Sequence, residues 1–79
     1  MKLTKGQRTI LEALATGREL THYKDGGGWW LGNHQVNQRT CWSLKRKLLI
    51  KADDWGYCHI TDWGRRALED PDFEPPLKR

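Results

Sequence analysis

The sequence predicts a compact α+β domain with the order helix, hairpin, helix, hairpin, short helix, and three observations predict it. Apolar residues recur at helical spacing within 5–16 and again within 37–49. Two other stretches, 19–31 and 50–60, hold short runs able to form strands, each broken by an acidic and glycine-containing turn. The 79 residues leave room for one small core and no second domain.

The first helix begins at Lys5. Thr4 is placed as its N-cap with Gln7 three residues on, the reciprocal pair of a capping box, and Leu3 sits where a hydrophobic staple belongs. Ile10, Leu11 and Leu14 form its apolar stripe, and Gly17 supplies a left-handed stop, so the helix ends near Thr16. Glu19 to Lys24 and Trp29 to Leu31 then form a hairpin around Asp25 and three glycines. A phosphate-cradling loop would need a lysine and a hydroxyl residue after its last glycine, and two tryptophans follow instead.

The best helix in the chain runs from Asn37 to Leu49. Cys41, Leu44 and Leu48 fall on one side of it, and Arg39, Trp42, Ser43 and Arg46 on the other. A strand, the turn Asp53-Asp54-Trp55-Gly56 and a returning strand from Tyr57 to Ile60 come next. Thr61 or Asp62 caps a closing helix that carries Trp63, Ala67 and Leu68. Residues 1–70 read as the domain and 71–79 as an acidic, proline-rich tail.

A net charge of +4 is modest, so its distribution matters more than its size. No acid occurs from Gly26 to Ala52, while Arg39, Lys45, Arg46, Lys47 and Lys51 all fall there. Five tryptophans offset the single Phe and single Met, and at least two are expected to be structural. Cys41 and Cys58 make no C-x-x-C pair, and the N-terminus has no apolar run of a signal peptide or membrane span. The expectation is a cytoplasmic protein with reduced, core-facing thiols and no membrane association. His22, His34 and His59 match no zinc spacing with these cysteines, so neither a metal nor another cofactor is expected.

The outward side of the 37–49 helix combines two planar guanidinium groups, Arg39 and Arg46, with the hydroxyl of Ser43. Such groups pair with guanine edges or clamp phosphates. Lys45, Lys47 and Lys51 add point charges suited to phosphate oxygens. Charged residues on a helix are usually just its solvated face, but that face normally mixes signs, and here the Glu-to-Lys pairs are missing. Trp42 either packs under the 26–30 hairpin or, if exposed, anchors a partner. Asp53 and Asp54 would repel phosphate and are read as turn formers, with Trp55 able to touch a groove. There is no nucleophile elbow and no zinc protease motif. Cys58 and His59 are neighbours whose side chains alternate across a strand, so an enzyme is not expected.

The segments "RTCWSLKRKLLIK" and "DWGYCHITDWGRRALE" resemble winged helix-turn-helix domains. There a basic recognition helix runs into a strand, a wing follows, and a Thr-x-x-Gly segment opens the closing helix. Leu48, Leu49, Ile50, Ile60, Thr61, Gly64, Arg65 and Leu68 fill those places. The layout is also similar to small YjhX-type bacterial proteins, through Gln7, Arg8, Thr9, Leu14, Ala15, Gly17, His22, Asp25, Leu49, Ile50 and Lys51. The first resemblance implies a winged-helix fold that binds DNA, and the second implies toxin-like action on a protein. The sequence departs from the helix-turn-helix pattern at 18–34, where a hairpin stands in place of a second helix.

The expected function is therefore that of a small bacterial or phage regulator that binds double-stranded DNA. Arg39, Trp42, Ser43 and Arg46 would lie at the groove, Lys45, Lys47 and Lys51 on phosphates and Trp55 at the wing. Homodimerisation or a second protein would supply the specificity that one short helix lacks. The alternative is a protein-binding module on the same scaffold, toxin-like or a phage-encoded inhibitor of a host or defence protein such as a CRISPR complex.

Overall fold

A computed structural model describes residues 2–23 and 25–74. Helix α1 spans Lys5–Ala15, with Thr4 and Gln7 forming the expected capping box and Ile10, Leu11 and Leu14 buried. Gly17 (φ 96°) ends it. Arg18 N donates to Ala13 O and Gly17 N to Leu14 O, which satisfies carbonyls that the helix end would otherwise leave open.

Strands β1 (Leu20–Tyr23) and β2 (Gly28–Leu31) form the expected hairpin, and β3 (His34–Val36) extends it by a strand that the sequence reading did not anticipate. At three residues, none of them buried, β3 lacks the apolar alternation that marks a strand. It forms because Trp29, Trp30 and Leu31 offer it a ladder, pairing with Val36, Gln35 and His34.

Helix α2 (Gln38–Arg46) is capped by Asn37, whose side chain accepts from Arg39 N. It stops three residues short of the expected Leu49. Lys47 is the C-cap, and Leu48 takes a left-handed conformation (φ 61°). Leu48 N then donates to Lys45 O and Leu49 N to Leu44 O. This is the two-bond closure usually built on glycine. Leu48, expected on the core side beside Cys41 and Leu44, is 50% exposed, and Leu49 takes its place in the core.

Strands β4 (Ile50–Ala52) and β5 (Tyr57–Ile60) form the second hairpin, and α3 (Asp62–Glu69) closes the chain. Thr61 is the cap. Its hydroxyl accepts from Gly64 N at 3.1 Å and donates to Leu48 O at 2.6 Å, tying the closing helix to the left-handed residue. A Cβ at Gly64 would collide with Leu49 O and lie 2.7 Å from Ile60 Cγ1, so only glycine lets α3 approach the strands this closely.

The strands make one antiparallel sheet in the order β3-β2-β1-β5-β4. Register and alternation put Leu20, Trp29, Leu31, Ile50 and Cys58 on one face. There they join Ile10, Leu11, Leu14, Cys41, Leu44, Leu49 and Ala67 as the core. The helices pack on that face. The opposite face carries Thr21, Trp30, Gln35, Lys51, Tyr57 and His59. Phe73, within the acidic segment, packs against the core cluster, and residues 75–79 of the expected tail lie outside the described residues. Among the described residues, no helix is long and apolar enough to cross a membrane.

Candidate nucleic-acid interface

The α2 side chains divide as the 3.6-residue period requires, and the outward set is not uniform. Arg39 and Arg46 are exposed and Lys47 is half-buried. With Ser43 they line a shallow surface depression of about 290 Å³ that has no carboxylate on its wall. Among the described residues these three cations make no ion pair. They present uncompensated positive charge, the condition for capturing phosphate.

Ser43 differs from its expected free role. Its Oγ accepts a hydrogen bond from Gln7 Nε2 at 2.7 Å, and Gln7 Oε1 accepts from Thr4 N at 2.9 Å. The hydroxyl therefore belongs to the seam between α2 and the capped end of α1. It also lines the depression beside Arg39 and Arg46. Gln7, a polar residue buried beside the core, was legible in the sequence as a cap partner only.

Trp42 packs against the β1–β2 hairpin and is also partly exposed. It is 40% exposed, yet its ring meets Trp29 edge-on (centroids 5.5 Å apart, 77°) and His22 likewise (5.4 Å, 81°). His22 stacks on Trp29 at 4.0 Å and 8°. These edge and face contacts fix the rotation of α2 about its axis relative to the β1–β2 hairpin. Lys45 Nζ lies 5.0 Å from the Trp42 ring centroid and is held by the π face.

Lys51 lies away from the α2 depression, and Trp55 stands on the wing turn where it was expected. Lys51 points to the outer face of the sheet, paired with His59, because Ile50 and Ala52 take the inward positions of β4. It lines a different depression, with Leu48 and Trp63, and is not brought together with Arg39 and Arg46. Trp55 stands at the tip of the β4–β5 turn, 84% exposed. The turn-forming role of Asp53 is explicit. Its Oδ1 accepts from Trp55 N (2.8 Å) and Tyr57 N (3.0 Å), and its Oδ2 lies 3.1 Å from His59 Nε2. The His59 hydrogen bond, with help from the two backbone donors, lowers the Asp53 pKa below its ordinary value.

Both cysteines are free and buried, as expected. Burial pushes the Cys41 thiol up to about 12 and the Cys58 thiol to about 11, so neither is a nucleophile at neutral pH. Among the described residues no three His, Cys, Asp or Glu side chains gather into a metal-binding group. No protein-family model, curated protein or solved structure matches the chain.

Proposed function

We propose that the chain is a DNA-binding module of winged-helix type, a small bacterial or phage regulator that lays α2 in the major groove. One observation carries this reading: the depression on α2 lined by Arg39, Ser43, Arg46 and Lys47, three cations and a hydroxyl with no acid among them. Guanidinium forks at Arg39 and Arg46 suit guanine edges, and Lys47 and Lys45 suit phosphates. The chain order supports the same reading. A first helix and strand precede α2, and the β4–β5 hairpin follows it with β5 paired to β1, as a wing would be. Strands β2 and β3 occupy the stretch where a helix-turn-helix has its second helix. Here Trp29 buttresses α2 through Trp42 in its stead. A nine-residue helix reads few base pairs, so a homodimer on two half-sites is the form expected to bind with specificity.

The test is a salt series on duplex DNA with the full chain. Affinity should fall linearly on a log–log plot, and Lys47→Ala should reduce the slope by about 1, one phosphate contact. A flat response, or no binding at low salt, sinks the reading.

A further inference from the structure

The tips of the two hairpins meet at one corner of the sheet. His22 N donates to Gly56 O at 2.8 Å. A Cβ at Gly56, whose φ is 90°, would lie 2.7 Å from His22 O, so the turns are locked edge to edge. Asp53 fixes the second turn from within by accepting from Trp55 N and Tyr57 N. The rigid turn displays Trp55 at 84% exposure, and Tyr23 beside it is 50% exposed. Between them is a depression of about 290 Å³ lined by His22, Tyr23, Asp25, Asp54, Trp55 and Gly56. Among the described lining residues there are two carboxylates and no Lys or Arg, in a chain whose net charge is +4.

We infer that this corner is a docking site for a protein segment bearing an arginine or lysine, its cation set against the Tyr23 and Trp55 rings and paired with Asp25 and Asp54. Aromatic faces attract cations through their quadrupole, and the two acids add charge of the matching sign. Trp and Tyr lose little conformational freedom on binding, and here the backbone carrying Trp55 is already fixed, so the ordering cost of a contact is small. The same two acids repel phosphate, which favours a basic polypeptide over nucleic acid at this corner. Asp53 takes no part in the docking, because its oxygens are engaged by the turn and by His59. The site is separate from the Arg39, Ser43, Arg46 and Lys47 depression, so it stands whether or not α2 binds DNA.

The test is a nuclear magnetic resonance titration of the full chain at low salt with the capped pentapeptide Gly-Arg-Gly-Arg-Gly, and with its glutamate counterpart as control. Saturable shifts should centre on the Trp55 indole N–H and the Tyr23 and Gly56 amides, with none for the acidic peptide. Trp55→Ala should weaken binding about tenfold, and Asp25→Asn with Asp54→Asn about fivefold, with unchanged melting temperatures. The absence of saturable shifts at Trp55, or undiminished affinity in Trp55→Ala, overturns the inference. So does a Trp55→Ala variant that loses duplex affinity when the wild-type chain gives no peptide shifts, which would assign the turn to a DNA groove.

Discussion

Gln7 Nε2 donates to Ser43 Oγ at 2.7 Å, so the residue that completes the α1 capping box also fastens α1 to α2. The bond spans 36 residues of sequence and is part-buried. Ser43→Ala leaves a buried amide donor unpaired and should cost about 1–2 kcal/mol. Gln7→Ala removes the cap contact as well and should cost somewhat more. Denaturant unfolding of both variants and the double variant checks this: the double should be less destabilised than the sum, with a coupling of about 0.5–1.5 kcal/mol.

Leu48 adopts φ 61° while half exposed, where a side chain clashes with its own carbonyl and gains little from burial. Leu48→Gly keeps both closing hydrogen bonds and relieves the clash. It should stabilise the fold by roughly 0.5–1 kcal/mol, read as a rise in melting temperature. An unchanged or lower value would show that the half-buried part of the Leu48 side chain contributes more than the backbone loses.

The same residue shows where sequence reading reaches its limit. The stop at Gly17 was legible because glycine announces a left-handed residue, and the identical closure at Leu48 was not, because no local signal marks it. Thr4 and Gln7, the turn at Asp53 and the cap at Thr61 were legible for the opposite reason: each acts within about four residues of itself. What escaped depends on distant partners. β3 exists through its pairing with β2, Ser43 is claimed by Gln7, and Lys51 is turned away from α2 by the alternation of a three-residue strand. Of the side chains expected on one surface, Arg39, Arg46 and Lys47 come together, Lys51 is turned to the outer face of the sheet, and Trp55 stands on the β4–β5 turn where the sequence puts it.

The cysteines give a pH prediction whose sign follows from burial. Both thiols titrate higher in the folded chain than their ordinary 9.0, at about 12 for Cys41 and about 11 for Cys58. Keeping them neutral therefore favours the fold fully below pH 9. That contribution declines as pH rises from 9 to about 11 for Cys58 and about 12 for Cys41, because the unfolded chain releases protons that the folded chain retains. The melting temperature should fall over that window, and less steeply in Cys41→Ala with Cys58→Ala. At neutral pH a thiol reagent should label both only in denaturant, and rapid labelling of native protein would refute their placement.

Asp53 organises its turn through three contacts, and its carboxyl is lowered from its ordinary value chiefly by His59. Stabilisation from this carboxylate is present above the ordinary 3.8 and is lost as pH falls through the lowered folded value. Asp53→Ala should raise amide exchange at Trp55 and Tyr57 several-fold, since both lose their acceptor, while the Leu11 and Leu44 amides stay protected. Equal exchange in variant and parent would mean that the paired strands alone hold the turn.

Arg39 and Arg46 line the α2 depression without ion pairs among the described residues, so folding and binding can be separated there. Arg39→Ala and Arg46→Ala should each stay within about ±0.5 kcal/mol of the parent in stability, as exposed substitutions usually do. On a preferred duplex each should lose about 1–3 kcal/mol of affinity if its guanidinium reads a base, with a smaller loss on random duplex. Ser43→Ala behaves differently, because its hydroxyl works on the seam: its stability should drop while its DNA affinity, measured well below its melting temperature, changes less than in either arginine variant. Equal losses on preferred and random duplex would reassign both arginines to phosphates. No loss on either would remove α2 from the interface, while peptide binding at the Trp55 corner would remain to be judged on its own titration.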